Sequence, residues 1–342
     1  MRNVIFRADG AKKVGMGHLN RCLLIANYLK KHHNISSIFL TEDDAASRIF
    51  LSNKTYGIDL FYLNSNYTLE DELKTIATFK KDRCATLLIV DLLKVELENE
   101  YLNDLHDLGI KICVLSDDSN YHEFLSDMVI NGNPNQIGSN YPDVGTTYLI
   151  GPQFFIMDAR YSGVVVKKKN INSVLVSLGG SDHNDIVFSI LDSLLKVSSI
   201  QEIIVISSKS TGYIDELKQF IANNSKKITL YLDVESLVNY WKDCSLAITA
   251  GGNTLFERIA SGTPGATICQ LPRQMEIADA FEKLEVNVNL GYGPDLTTSA
   301  LNSAVSNFFQ NSQNHARQKE LSSKIINGEG LKYCAIKMLE LI

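Results

Sequence analysis

Short β-branched runs alternate with helical-period segments along nearly the whole chain, and this alternation restricts the fold more than any other feature. Val4–Arg7, Ile35–Leu40 and Thr86–Asp91 read as buried strands bounded by Gly, Asp and Asn. Between them, Leu23, Leu24, Asn27 and Tyr28 fall at the spacing of a helix face. Repeated βα units cannot pair as hairpins, so they imply mostly parallel sheets covered on both faces. The pattern loses its period over about 152–172 and then restarts with the strand Ser173–Leu178. Two helices, Thr298–Phe309 and roughly Leu331–Leu341, are expected to close the chain. The expected fold class is α/β, with two doubly wound Rossmann-like domains and an interdomain cleft. The first spans 1–155, a linker spans 156–171 and the second spans 172–328. A terminal helix over 329–342 can pack back on the first domain. In such sheets, ligands bind at the carboxyl ends of strands.

The loop after the first strand carries Gly15-x-Gly17-His18-x-x-Arg21, preceded by Arg7-x-Asp9. Glycines allow tight turning and close approach to a ligand. This is not a dinucleotide fingerprint, because Asn20 stands at the third glycine position. His18 falls at a helix N-terminus, where the dipole disfavours a positive charge and helps to keep a neutral base near pH 7. Spacing alone fits a helix-capping polar residue as well as a catalytic one.

Three further motifs lie in the second half. Gly179-Gly180-Ser181-Asp182 follows Val174–Leu178 and reads as a place for close approach to a ligand or as a plain βα turn. Thr249-Ala250-Gly251-Gly252-Asn253-Thr254-Leu255-Phe256-Glu257 runs from a strand through small residues into a helix with Asn/Thr capping. Free N–H groups and the dipole make that loop an anion cradle. With Glu257 one turn further on to accept from a ribose diol, Gly251, Gly252, Asn253 and Thr254 point to a nucleotide diphosphate. The alternative is a capped helix with a solvated Glu. Finally, Gly262 and Pro264 stop that helix, and Gln274 is expected at the cleft rim, reading sugar hydroxyls.

A formal net charge of −6 with no basic stripe argues against a nucleic-acid partner, and Lys167-Lys168-Lys169 reads as a solvated hinge. Six scattered cysteines without a Cys-x-x-Cys pair read as reduced core thiols, not zinc ligands or disulfides. No apolar run reaches membrane-spanning length, and the N-terminus has no signal-peptide pattern, so a cytoplasmic location is expected. No metal or cofactor is expected, and the sequence does not specify an oligomeric state.

Together these motifs resemble the family of the UDP-2,4-diacetamido-2,4,6-trideoxy-β-L-altropyranose hydrolase of pseudaminic acid biosynthesis and its spore-coat polysaccharide relatives. The resemblance covers nearly the whole chain. It includes Asp91 at a strand end, Asp117-Asp118 before Asp127, and Gly151-Pro152. It implies a GT-B fold and the release of UDP from a UDP-sugar with inversion at the anomeric carbon. It further implies that His18 activates water, with Arg7, Asp9, Gly17, Arg21, Asp91 and Gln274 at the substrate. Gly180, Leu232, Gly251, Gly252, Asn253, Thr254 and Glu257 would hold the nucleotide, with Leu232 flanking uracil. The chain departs from the family pattern at Leu92-Leu93, over Gln153–Asp158 and at Arg273. These departures keep open a GT-B glycosyltransferase that uses a UDP-sugar or a CMP-nonulosonate donor.

Overall fold

The computed structural model describes residues 3–10, 16–52, 57–64, 66–92, 99–117, 125–139, 141, 145–163, 172–179, 185–209, 211–224 and 227–342. The chain forms two compact units. One comprises Met1–Ala159 with Glu329–Ile342, and the other comprises Arg160–Gly328.

The first unit is built on seven strands: β1 (Asn3–Ala8), β2 (Ser36–Glu42), β3 (Ile58–Leu63), β4 (Ala85–Asp91), β5 (Lys111–Leu115), β6 (Met128–Asn131) and β7 (Thr147–Ile150). All pair in parallel, in the order β3-β2-β1-β4-β5-β6-β7. The helices α1 (Gly17–His33), α2 (Ala45–Ser52), α3 (Leu69–Asp82) and α4 (Asn99–Asp107) connect them. The chain steps outward from β1 to β3 and then returns to the other side of β1 with β4. That reversal leaves a crevice at the carboxyl ends of β1 and β4. The register sets Ala8 beside Asp91 at that edge.

Period-two alternation divides β1 between two cores. Val4, Phe6 and Ala8 pack with Leu19, Cys22, Ala26 and Leu29 of α1. Ile5 faces the other way, toward Leu88, Val90, Ile76 and Phe79. The first core is completed from the far end of the chain. Leu331, Cys334, Ala335 and Met338 of α12 (Gly330–Leu339) join it. α12 starts at a glycine because a β-carbon on Gly330 would run into the Phe155 carbonyl.

The second unit repeats the plan with β8 (Ser173–Ser177), β9 (Glu202–Ser207), β10 (Lys227–Leu232), β11 (Leu246–Ala250), β12 (Gly265–Cys269) and β13 (Val288–Tyr292). Their parallel order is β10-β9-β8-β11-β12-β13, so its own reversal lies between β8 and β11. Its helices are α5 (Ile186–Leu195), α6 (Ile214–Ala222), α7 (Val238–Trp241), α8 (Asn253–Ala260), α9 (Pro272–Lys283), α10 (Thr298–Gln310) and α11 (Ser312–Ile325).

Three helices, not two, follow β13. The additional one, α11, has no apolar stripe, and its buried side chains are Gln318 and Ser322. Polar contacts hold it. Gln318 Oε1 accepts from the Gly265 N–H at 2.8 Å and from Arg258 Nη1 at 3.4 Å. The stretch expected to be an irregular linker contains single 3-10 turns at Pro152–Phe154 and Ala159–Tyr161, with Pro152 and Tyr161 buried. Lys167, Lys168 and Lys169 lie outside the described residues. All six cysteines are free. Five are buried, whereas Cys84 is exposed in a left-handed turn. No described helix is long and apolar enough to cross a membrane.

Gln318→Leu keeps side-chain bulk but strands the Gly265 N–H and one Arg258 donor in the interior. The expected loss is about 2 kcal/mol of unfolding free energy, read by urea denaturation. A change below about 0.5 kcal/mol would mean that these bonds do not hold α11 in place.

Candidate functional site

In the first unit, His18 is the second residue of α1, directly above the sheet reversal. Its Nδ1 lies 2.6 Å from Oδ1 of Asp91, the last residue of β4. Asp91 is fully buried. Arg21, one turn into α1, grips both of its oxygens, with Nε to Oδ2 at 2.6 Å and Nη2 to Oδ1 at 2.6 Å. The third Arg21 nitrogen, Nη1, reaches Asp117 Oδ1 at 2.7 Å. The Cys22 thiol donates to Asp91 Oδ2 at 3.6 Å. An ionised carboxylate in this position accepts the Nδ1 proton and leaves Nε2 as the imidazole's lone-pair nitrogen. Nε2 makes no hydrogen bond to any described residue.

The electrostatics correct the expectation of a histidine kept neutral by the helix end. Burial pulls the His18 pKa down, but the hydrogen bond and charge of Asp91 outweigh burial, and the pKa stands above its ordinary value. A full charge at 2.6 Å overrides a partial charge spread over the first helical turn. Burial alone would raise the Asp91 pKa, yet the Arg21 charge and the bonds from Arg21 and His18 hold it well below the usual carboxylate range. The neutral imidazole with Asp91 ionised is thus a base of raised strength, oriented from behind.

Arg7 and Asp9 sit in a neighbouring buried network. Arg7 Nη1 lies 2.6 Å from Asp9 Oδ2, Nε is 2.9 Å from Glu72 Oε1, and Nη2 donates to the Tyr67 hydroxyl at 3.0 Å. Tyr101 donates to the same Glu72 oxygen at 2.6 Å. Asp9 Oδ1 accepts from the Glu42 N–H at 2.7 Å and so ties the end of β1 to β2. Burial pushes the Tyr67 hydroxyl up to about 12, so it stays protonated and donates to Glu42 at 3.2 Å. Gly17 opens α1 on an exposed face, with open space where a β-carbon would go.

In the second unit, Gly251 and Gly252 join β11 to α8. Gly252 is the N-cap, and no side chain caps the helix. Asn253 and Thr254 therefore form its first turn instead of capping it, which leaves the cradle without a side-chain acceptor of its own. Gln274 of α9 crosses this loop. A β-carbon on Gly251 would lie 2.7 Å from Gln274 Cβ and 3.3 Å from its backbone oxygen, so only glycine permits the approach. Gln274 Oε1 accepts from the Gln270 N–H at 2.8 Å.

Glu257 stands one turn along α8, half-buried. Its Oε2 accepts from the Tyr161 hydroxyl at 2.9 Å, and that hydroxyl accepts from Trp241 Nε1 at 3.0 Å. Leu232 ends β10, half-buried, and is followed by Asp233 in the left-handed region, with φ 51°. Gly179 has φ 85°, whereas Gly180 lies outside the described residues.

The structure therefore brings together His18, Arg21 and Asp91 in one unit, and Gly251, Gly252 and Gln274 in the other. Sequence reasoning did not find Tyr161, Trp241 or Gln270. The first two lie 96 and 16 positions from Glu257, outside any local motif. Asp91 and Arg21 are expected to touch substrate, and the structure shows Asp91 buried and bonded to both His18 and Arg21.

No protein-family model matches the chain. It is 27% identical to an uncharacterized protein of Methanocaldococcus jannaschii over 80% of this chain, spanning 57% of that protein's length. The spore coat polysaccharide biosynthesis protein SpsG of Bacillus subtilis is 26% identical over 85% of each chain. The UDP-2,4-diacetamido-2,4,6-trideoxy-beta-L-altropyranose hydrolase of Campylobacter jejuni is 21% identical over 84% of this chain and 99% of its own. The chain resembles the SpsG and altropyranose-hydrolase proteins. Among solved structures, MurG of Acinetobacter baumannii superposes with a TM-score of 0.71 at 12% identity, covering 99% of both chains. A spinosyn rhamnosyltransferase, SpnG, complexed with thymidine diphosphate, superposes at 0.68 with 11% identity over 99% and 100%. The fold is GT-B, each Rossmann-like unit carrying one of the two clusters described above.

Asp91→Asn removes the charge that raises the His18 pKa. The His18 imidazole should titrate at lower pH in that variant, as followed by NMR of its ring protons. The sign extends to stability. A raised folded-state pKa stabilises fully below the unfolded histidine value, and that contribution is lost as pH rises through the folded value. An unmoved His18 titration would remove Asp91 as its controlling partner.

Proposed function

We propose that the protein is an enzyme that acts on nucleotide sugars in polysaccharide or nonulosonic acid biosynthesis. Its reaction is hydrolysis of a UDP-linked diacetamido-trideoxyhexose with inversion at the anomeric carbon. The observation that carries this reading is the His18–Asp91 pair, with Nδ1 held at 2.6 Å and Nε2 bonded to no described residue.

Neutral His18 takes a proton from water at Nε2 as the water oxygen attacks the anomeric carbon. The bond from that carbon to the diphosphate oxygen breaks, and its electron pair leaves with UDP. Buried Asp91 stabilises the imidazolium that forms, while Arg21 keeps Asp91 ionised and its oxygens fixed. The open first turn of α8, with Gly251, Gly252, Asn253 and Thr254, is proposed to hold the departing diphosphate. Glu257 is proposed to take the ribose and Leu232 the base. Gly180 is assigned to the nucleotide by resemblance.

The altropyranose hydrolase name of a relative matched over 99% of its own length favours hydrolysis. The glycosyltransferases among the structural neighbours favour a second reading, in which the same base deprotonates an acceptor hydroxyl. Incubation with UDP-linked diacetamido-trideoxy sugars, with and without acceptor glycan, separates the two by product. Free inverted sugar supports hydrolysis, glycan-linked sugar supports transfer, and absence of UDP release from folded protein would sink both.

His18→Ala should lower turnover by about 10²–10⁴-fold. kcat/KM should rise with pH through the raised His18 pKa, and Asp91→Asn should move that acidic limb downward. A limb unaffected by either substitution would take His18 out of the proton transfer.

A further inference from the structure

Arg21 stands between two carboxylates. Two of its nitrogens go to Asp91, and the third, Nη1, goes to Asp117 Oδ1 at 2.7 Å. Asp91 is buried, whereas the Asp117 side chain is more than half exposed. The exposed carboxylate is nevertheless held in place. Its turn follows β5, where the Ser116 N–H donates to the Ile130 carbonyl at 2.9 Å. Buried Asn133 donates from Nδ2 to the Asp117 carbonyl at 2.7 Å, and its own N–H donates to Asn131 Oδ1 at 3.0 Å. The end of β6 therefore sets where Asp117 stands, and Asp117 meets Arg21 from the open side.

Charge balance gives this contact a consequence. Ionised Asp91 and Arg21 together form a neutral pair, which orients an imidazole but offers little net charge to an imidazolium. Asp117 adds a second negative charge. With it, the cluster of His18, Asp91, Arg21 and Asp117 is singly negative while the imidazole is neutral, and uncharged once His18 is protonated. Without it, protonation would leave one positive charge uncompensated at a largely buried site, which desolvation penalises. Asp91 of β4, Arg21 of α1 and Asp117 after β5 are the charged groups that bear on the ring among the described residues. Asp117 raises its basicity and Arg21 lowers it. The Cys22 thiol on Asp91 adds no charge, because burial pushes its pKa up.

We propose that Asp117 is a positioning residue that acts through Arg21, offsetting the guanidinium charge so that Asp91 can confer its full basicity on His18. This deepens the reading of His18 as the base and rests on it. The exposed carboxylate thus serves the buried pair and not only the surface.

Two substitutions separate charge from contact. Asp117→Asn keeps an oxygen that can accept from Arg21 Nη1 and removes only the charge. Asp117→Glu keeps the charge on a longer stem. The His18 ring protons are titrated by NMR in the full chain, with thermal melting as the check on folding. Asp117→Ser replaces the amide variant if that variant does not fold. The His18 pKa should fall by about 0.5 unit in Asp117→Asn, the effect of a partly exposed ion pair. In Asp117→Glu it should stay near the wild-type value. The acidic limb of kcat/KM for a UDP-linked diacetamido-trideoxy sugar should move down with it, while KM is unchanged. An unmoved His18 titration in the neutral variant would overturn the proposal, and so would equal shifts in the Asn and Glu variants. A rise in KM without a change in titration would make Asp117 a substrate contact and overturn it as well. Absence of turnover by the wild type would overturn the enzymatic reading alone, since the titration decides the charge coupling without substrate.

Discussion

A carboxylate with no exposed surface survives as an anion only where cations and donors surround it, and the first unit is arranged around Asp91 under that requirement. Its position at the end of β4, in register with Ala8 of β1, is set by the sheet reversal. Two of its partners, His18 and Arg21, come from successive positions on one helix face, three residues apart. The start of α1 is therefore fixed by charge as well as by the apolar packing of Leu19 and Cys22 beneath it. The same ionised carboxylate that Arg21 stabilises is what raises the basicity of the imidazole. Support and chemistry are one interaction seen from two sides.

The second unit solves the opposite problem. Arg258 is a fully buried cation, and the partners it finds among the described residues are carbonyls and amides: Thr263, Val286, Asn287 and Gln318. Burial lowers its pKa to about 9, still high enough to keep it charged at neutral pH. Neutral acceptors offset less of the desolvation than a carboxylate would, so several must converge. That convergence draws together α8, α11 and the segment before β13. It explains how a helix as polar as α11 is retained in a folded unit.

Much of the fold was legible because hydrophobic period reports burial directly. The parallel strands and most helices declare themselves by β-branched runs and by spacing of three to four residues. α11 escaped because its buried face is Gln318 and Ser322, which carry no apolar signal. The site was legible where glycines mark close approach, as at Gly251. It was not where the deciding contact is distant in sequence: Asp91 is 73 positions from His18, and Tyr161 is 96 from Glu257. Helix-end reasoning foresaw a neutral histidine because a dipole is local and visible in sequence, whereas the overriding charge arrives from another strand. The capping expected of Asn253 and Thr254 failed by one position, since Gly252 already fills the cap.

The chain leaves the first unit at Ala159 and returns at Glu329. During synthesis, the face of β1 and α1 that receives Leu331, Cys334, Ala335 and Met338 stays open until the whole second unit has been made. The first unit to begin is thus the last to close. Until α12 arrives it exposes apolar surface of the kind that invites misassembly. The second unit is continuous in sequence and has its own core, so it can complete without waiting.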